Sequence, residues 1–205
     1  MNLGFDMKDW DSVEAVEMGG FETLELGGHI VEIKTAGLYT GKTGNTSLKI
    51  EVDTHKEDKQ PGFFQKQFDE NPNADKKWSN GATKYFSLKT ENLKYLKGFV
   101  ETTLPNSNAN YKYDKTKGWE QLVGLKCVGV FGLEEYEKQD GTIGTATKLV
   151  QFRSLDKFGS VKMPKVKLLD GSTMDYEEYR NRRNDSVNLS QIESAVEISP
   201  EDLPF

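Results

Sequence analysis

The sequence predicts a mainly β fold, a five-stranded barrel with one helix between its third and fourth strands. Five segments are rich in β-branched and aromatic residues, and polar segments or glycine-containing turns separate most of them. Between the third and the fourth of these segments, the apolar residues recur at helical spacing instead. With 205 residues, the chain is long enough for one domain with a substantial core and additional extensions.

The first two strands are predicted at residues 29–39 and 46–54. The first is dense in β-branched residues, and the second places three apolar side chains on one face, Leu48, Ile50 and Val52. A glycine-rich turn is predicted between them, at residues 40–45. Residues 36–43 nearly match a phosphate-binding P-loop, but a P-loop leads into a helix, and a β-patterned strand follows here. A simple turn is therefore favoured over the phosphate-binding loop of a nucleoside triphosphatase.

The third strand is predicted at residues 82–88, after a polar segment (residues 56–83) that also carries aromatic residues. A helix follows, which Thr90 is expected to cap and Pro105 to end. Its apolar residues recur at helical spacing: Leu93, Leu96, Phe99, Val100 and Leu104.

Residues 122–136 form the most strand-like run, and residues 145–155 return from a tight hairpin at Asp140-Gly141. This order of elements is that of an OB-fold, a five-stranded Greek-key barrel with its helix between strands three and four. Helical spacing in residues 175–183 predicts an appended helix. The predicted domains are an acidic N-terminal extension (1–20), an OB-fold (21–167), and a helical segment with a flexible acidic C-terminal tail (168–205).

The net charge of −6 is distributed unevenly along the chain. Residues 1–28 carry −6, residues 29–167 carry +6, and residues 168–205 carry −6 again. A basic body between acidic ends suits a polyanionic ligand for which the tail competes. A contribution of the acidic ends to solubility explains the same distribution equally well, so the charge alone does not decide between the two.

Cysteine usage and hydropathy indicate the compartment. Cys127 is the only cysteine, which excludes an internal disulfide and is typical of a reducing environment. No run of 18 apolar residues is present, and the first ten residues are too charged for a signal peptide. These features predict a cytoplasmic protein without a membrane segment.

No constellation of residues indicates catalysis or metal binding. The two histidines, His29 and His55, do not form a metal-ligand spacing with Cys127. Cys127 lies in an apolar strand, where a buried structural thiol is expected rather than a nucleophile. The sequence therefore predicts a protein that is not an enzyme and that needs neither a cofactor nor a metal.

The chain ends with two acidic residues and an apolar tip, Glu201-Asp202-Leu203-Pro204-Phe205. As a ligand for another protein, Phe205 would fill a pocket and basic residues around it would meet the carboxylates. The tip resembles that of bacterial single-stranded DNA-binding proteins, which end in several acidic residues and Ile-Pro-Phe. Leu203 stands where isoleucine is usual, and only Glu201 and Asp202 supply the charge. The resemblance implies binding to replication and recombination proteins.

Four short motifs lie beside the predicted strands: Leu26-Gly-Gly-His-Ile-Val-Glu-Ile33, Lys42-Thr-Gly-Asn45, Leu122-Val-Gly-Leu125 and Glu134-Glu-Tyr-Glu137. With them, residues 21–153 resemble a family of bacteriophage proteins related to single-stranded DNA-binding proteins. The resemblance covers about two thirds of the chain and consists of loose patterns rather than an active-site signature. It implies an OB-fold that binds single-stranded DNA in the cytoplasm of an infected host.

Aromatic residues beside lysines are the remaining chemical signal. Single-stranded DNA offers bases to aromatic faces, at about 1–3 kcal/mol per stacked base, and phosphates to lysine. Phe64, Trp78 and Tyr136 are the preferred stacking platforms, whereas Phe86, Phe99, Phe131 and Trp119 are assigned to the core. The candidate nucleic-acid-binding residues are Lys42, Lys49, Phe64, Lys66, Lys77, Trp78, Lys84, Tyr85, Lys112, Tyr136 and Lys138.

These observations together predict a phage-type protein that binds single-stranded DNA with little sequence preference during replication or recombination. Its partners would be the DNA and the proteins that the C-terminal tip recruits. The alternative is a β-barrel module for protein interaction or assembly that does not bind DNA. A metal-dependent nuclease is a third, weaker hypothesis, and homo-oligomerisation is left open.

Overall fold

The computed structural model describes residues 22–184, and this part of the chain is mainly β. The strands are β1 (Gly27–Thr40), β2 (Thr46–Thr54), β3 (Thr83–Ser87), β4 (Lys126–Glu137), β5 (Ile143–Arg153), β6 (Val166–Lys167) and β7 (Thr173–Met174). The helices are α1 (Phe63–Glu70), α2 (Leu93–Gly98), α3 (Leu104–Ser107) and α4 (176–184). The five strands and the appended helix that the sequence predicts are confirmed, close to their predicted bounds.

The strands form a mixed, open sheet of seven strands with the hydrogen-bonded order β3-β2-β1-β4-β6-β7. The first half of β1 pairs antiparallel with β4 and the second half with β2. β5 forms a long antiparallel hairpin with β4. Within residues 22–184 no backbone ladder joins β3 to β5, so the ring of five strands is left open between these two.

A β-bulge at Lys34 changes which face of β1 points into the core. Ile33, before the bulge, is fully buried. After the bulge, Ala36 pairs with the buried Ile50, so the inward side chains move from odd to even positions. Tyr39 therefore lies on the outer face of the sheet.

The core lies between the inner face of the sheet, α1 and the helical segment that begins with α2. The polar segment of residues 56–83 contributes Phe63 and Phe64 to it, and both side chains are buried in the first turn of α1. The rings of Phe64 and Phe131 pack with their centroids 5.6 Å apart. The four aromatic residues that the sequence assigns to the core are within it or packed against it, Phe86, Phe99, Trp119 and Phe131.

The helix that the sequence predicts between β3 and β4 continues past its expected end. α2 passes into a π-helical turn (Phe99–Thr103) and then into α3. The Leu104 N–H donates to the Phe99 carbonyl, five residues earlier. Pro105, which has no N–H, sits in the first turn of α3 and does not end the helix. Thr90 begins a 3₁₀ turn before α2 and does not cap the helix.

The β6–β7 hairpin and α4 cover the edge of β4 that β1 leaves free. β1 pairs with β4 up to Phe131, and β6 takes the next stretch through a parallel contact between Lys167 and Glu134. A second, small core forms beneath this unit from Val166, Leu168 and Tyr179. The domain boundary predicted between residues 167 and 168 falls inside this hairpin, so residues on both sides of it pack on the sheet together.

A buried contact between His29 and Asp58 joins the start of β1 to the loop after β2. His29 Nδ1 lies 2.8 Å from Asp58 Oδ1, and His29 Nε2 lies 3.0 Å from the Glu25 carbonyl oxygen. Each ring nitrogen of His29 therefore faces an oxygen atom of another residue. Burial alone would raise the pKa of Asp58, but hydrogen bonds from His29 and from the N–H groups of Gln60 and Ile30 outweigh it and lower this pKa.

Candidate nucleic-acid interface

The outer faces of β1, β2 and β3 form the floor of the candidate site. Lys49 points outward because its neighbours in β2, Leu48 and Ile50, are fully buried on the inner face. Lys49 pairs with Gly37 of β1 on one side and with Tyr85 of β3 on the other. A Cβ at Gly37 would meet no atom within 4 Å, so the floor is open and flat at this point.

Two tyrosines from the two sides of this floor approach each other across it. The ring centroids of Tyr39 and Tyr85 are 5.3 Å apart, with an interplanar angle of 57°. Their exposed fractions are 45% and 43%. Aromatic rings that are exposed to this extent present their faces to a ligand, and bases of any sequence stack on such faces.

The segment after β2 contributes a second aromatic pair. The ring centroids of Phe68 in α1 and Trp78 in the following loop are 5.8 Å apart. The Trp78 indole donates from Nε1 to the Val52 carbonyl oxygen at 3.1 Å, which fixes the ring beside β2. Lys76 Nζ lies 4.8 Å from the centroid of the Phe68 ring. The indole is therefore held in one orientation by both an aromatic neighbour and a hydrogen bond.

The two aromatic pairs border one groove of about 700 Å³, which we call the aromatic groove. It contains four of the residues that the sequence predicts to bind nucleic acid, Lys49, Lys77, Trp78 and Tyr85. The remaining lining residues are Tyr39, Glu51, Phe68, Asn80 and Thr83. Residues that are as far apart in the chain as Tyr39 and Tyr85 are thus brought together by strand pairing.

The two lysines of the aromatic groove differ in how available their charge is. The ammonium of Lys49 contacts the carboxylate of Glu51, which also accepts a hydrogen bond from Thr35 Oγ1 at 2.6 Å. Lys77 is exposed, and no carboxylate of residues 22–184 forms an ion pair with it. Lys77 is therefore the cation that a phosphate reaches without competition, whereas a phosphate at Lys49 competes with Glu51.

Two predicted contact residues are placed elsewhere by the fold. Phe64 is only 4% exposed and packs in the core, so the prediction that its ring stacks on bases is corrected. Lys84 is partly buried, and its Nζ donates to the Val150 carbonyl oxygen of β5 at 2.5 Å. Burial lowers the pKa of this ammonium. Lys84 bridges β3 and β5 instead of facing the aromatic groove.

Tyr136 lies in a cleft next to the aromatic groove, and Asn80 lines both. Its cross-strand partner is Gly144, where a Cβ would come within 2.7 Å of the tyrosine ring. The glycine therefore leaves the space in which the ring lies over β5. Lys138 is exposed beside it, at the β4–β5 hairpin. The same cleft is also lined by two carboxylates, Glu134 and Glu135.

The other predicted lysines are exposed but lie outside the aromatic groove. Lys42 is in the β1–β2 turn, where strands flank it on both sides, so the turn interpretation of this segment is confirmed. Lys66 is on α1. Lys112 lines a separate groove together with Tyr111 and Gln121. These three lysines are not brought together with the aromatic pairs.

Sequence reasoning missed Tyr39 and Phe68, and the reasons differ. Without the bulge at Lys34, strand alternation places Tyr39 on the same face as the buried Ile33. Phe68 lies in a segment that composition alone describes as polar. The signal that was present is its spacing of four residues from Phe64, which is typical of one helix face.

Residues 22–184 contain no group of three or more His, Cys, Asp or Glu side chains that could hold a metal ion. Cys127 is fully buried in β4, and burial raises the pKa of its thiol. No helix in the same range is long and apolar enough to cross a membrane. The predicted extension (1–20) and tip (Glu201, Asp202, Leu203, Pro204 and Phe205) lie outside the described residues.

Comparison with protein families and with curated proteins finds no match to this chain. No protein-family model matches it, and no curated protein has significant sequence similarity to it. The function is therefore argued from the aromatic groove and the sequence.

Proposed function

We propose that this protein binds single-stranded DNA with little sequence preference and that the aromatic groove is its main binding surface. The observation that carries the proposal is the convergence of four aromatic rings and two lysines on one groove, from Tyr39, Tyr85, Phe68, Trp78, Lys49 and Lys77. Each base stacked on such a ring contributes about 1–3 kcal/mol, and all four bases stack. This chemistry favours single strands, because the bases of a duplex are already stacked.

We further propose that β1 to β5 form an OB-fold barrel that is open between β3 and β5, a fold that suits the same function. The pairing order β3-β2-β1-β4-β5 and the helical segment between β3 and β4 favour this assignment. In such a barrel the face of strands two and three and the flanking loops bind nucleic acid. The aromatic groove is on that face, and Lys42 and Tyr136 are in the two flanking hairpins.

The biological setting that we propose is phage DNA replication or recombination in the host cytoplasm. The four motifs around the strands and the C-terminal tip support it by their resemblance to single-stranded DNA-binding proteins. In this setting, Leu203-Pro204-Phe205 recruits partner proteins while the OB-fold holds the strand. Loss of partner capture on deletion of residues 201–205, with DNA affinity retained, is the expected result in a pull-down of replication proteins.

The deciding experiment is fluorescence anisotropy with a labelled oligo-dT strand and a duplex of equal length, each titrated across salt concentrations. We expect a strong preference for the single strand and a linear fall of log K with log salt, whose slope counts the phosphate contacts. Absence of binding to either ligand at low salt would exclude the proposal and favour the protein-interaction alternative. Equal affinity for the two would exclude a site based on base stacking.

The aromatic groove itself is tested by the double variant Tyr39→Ala/Tyr85→Ala. We expect a loss of at least tenfold in affinity for oligo-dT, because two stacking faces are removed. Phe158→Ala is the matched control, since Phe158 is an aromatic residue of similar exposure (41%) that lines neither this groove nor its neighbours. Equal losses in both variants would place the binding site elsewhere.

A further inference from the structure

A second groove of about 700 Å³ lies where β3 and β5 face each other without a backbone ladder. We call it the seam groove. Residues 84–87 of β3 and residues 150–153 of β5 form two of its sides, and α2 with the π-helical turn forms the third. π-Helical turns are rare in proteins, and those that do occur are often found at functional sites. The opening in the strand ring therefore coincides with an irregular helix.

Three nearly parallel phenylalanine rings form the apolar part of the seam groove. The centroids of Phe86 and Phe99 are 5.2 Å apart and those of Phe99 and Phe152 are 4.6 Å apart, with interplanar angles of 22° and 27°. Phe86 and Phe152 are only partly buried. At the rim, Tyr95 is 62% exposed. The groove therefore offers aromatic surface both inside and at its rim.

The charged residues of the seam groove are all cations. Lys84, Lys94 and Arg153 line it, and no aspartate or glutamate does. The Lys84 ammonium already donates a hydrogen bond to the Val150 carbonyl oxygen. Lys94 lies 5.1 Å from the centroid of the Tyr95 ring, and within residues 22–184 neither Lys94 nor Arg153 forms an ion pair. The groove thus presents an aromatic ring and two unneutralised cations, which is complementary to a base and a phosphate.

The edge of β5 is partly blocked against a peptide strand. Val150 is the unpaired residue of a bulge, since Gln151 pairs with Val130 and Leu149 with Phe131. The Lys84 ammonium donates a hydrogen bond to the carbonyl oxygen of this bulged residue. A β-strand that was added at this edge would have to displace the Lys84 side chain. Recognition by ring faces and charges is therefore favoured over strand addition by a protein.

The seam groove adjoins the aromatic groove. Tyr85 lines both. On its far side, Gln151 and Arg153 also line a smaller groove of about 290 Å³ that contains Lys157 and Lys162. A strand that leaves the aromatic groove past Tyr85 thus meets further aromatic rings and then further cations.

We infer that the seam groove is a second nucleotide subsite of the same DNA strand, in which Tyr95 and Phe152 contact a base and Lys94 and Arg153 contact the adjacent phosphate. The inference rests on the proposed function, because it extends the path of the strand beyond the aromatic groove. Only strands that are long enough to span both grooves reach it. Strand length therefore separates the contributions of the two grooves.

The test is anisotropy with oligo-dT strands of increasing length, from about 4 to about 16 nucleotides, the range of site sizes per OB-fold. Lys94→Ala and Tyr95→Ala should each weaken binding of the longest strands by about tenfold and leave the shortest unchanged. Lys97→Ala is the matched control, since Lys97 is on the same helix, is exposed, pairs with Glu101 and does not line the groove. All three side chains are exposed, so the fold should tolerate their removal.

Photo-crosslinking gives an independent readout that does not depend on affinity. With 5-iodouracil placed at successive positions of a long oligo-dT strand, crosslinks to Tyr95 should come from one end only. Crosslinks to Tyr85 should come from interior positions.

The outcomes separate the two proposals. If the unmodified protein binds no strand, the proposed function fails. If it binds, but Lys94→Ala and Tyr95→Ala bind every length as the unmodified protein does and Tyr95 is not crosslinked, the seam inference alone is overturned and the groove is left to a protein partner.

Discussion

Lys77 and Lys66 are both exposed lysines that lie near an aromatic residue in the sequence, yet only Lys77 lines the aromatic groove. We expect Lys77→Ala to weaken binding to oligo-dT of any sequence context and to reduce the salt slope by about one. Lys66→Ala should change neither quantity. Anisotropy titrations at several salt concentrations measure both. Identical slopes for the two variants would show that Lys77 does not contact a phosphate.

The buried pair of His29 and Asp58 makes a prediction about stability rather than binding. Asp58→Asn removes a buried carboxylate that contacts His29 and accepts from the Ile30 and Gln60 N–H groups, so it should destabilise the protein by about 3 kcal/mol at neutral pH. Urea unfolding followed by tryptophan fluorescence gives this value.

The difference in stability between the unmodified protein and Asp58→Asn depends on pH, because the pKa of Asp58 is lowered. A carboxyl whose folded-state pKa is lowered stabilises the fold above its ordinary pKa of 3.8, and this stabilisation is lost as the pH falls through the folded value. The gap between the unmodified protein and Asp58→Asn should therefore narrow below about pH 4. A gap that stays constant down to pH 2 would contradict this role of Asp58.

Among the elements, the strands were predictable from sequence because each carries a local signal. β2 alternates cleanly, and the β4–β5 hairpin has Gly141 at a positive φ of 79° in its turn. The bulge at Lys34 and the π-helical turn before Pro105 carry no such local signal in the sequence. Tyr39 was missed for this reason, and Phe64 was misplaced because the burial of α1 depends on contacts distant in sequence.

The close approach of the 3₁₀ turn before β3 to β5, at Gly81, leads to a prediction about stability. Gly81, in the 3₁₀ turn before β3, leaves no room for a side chain, since a Cβ would lie 2.6 Å from the Thr147 backbone oxygen of β5. Gly81→Ala should therefore destabilise the protein by about 1–3 kcal/mol. Gly37→Ala is the control, because no atom lies within 4 Å of that Cβ, and its stability should stay within about 1 kcal/mol. Thermal or urea unfolding that ranks the two in the opposite order would refute the contact.

For the whole molecule, the distribution of charge predicts competition between the tail and DNA. Residues 185–205 contain five acidic residues and no lysine or arginine. Deleting them should tighten binding to oligo-dT at low salt, and the difference should disappear at high salt as screening increases. Anisotropy at both salt concentrations measures this. Unchanged affinity at low salt would exclude competition by the tail.

The burial of the single cysteine has a practical consequence for all of these measurements. Cys127 lies near the start of β4, paired with Val31 of β1, and neither side chain is exposed. A thiol reagent therefore reacts with it only after these strands separate, so its labelling rate reports the opening of the β1–β4 pairing. Since the sequence has no other cysteine, a cysteine introduced at the Lys42 turn would be the only thiol that a fluorophore reaches in the folded protein.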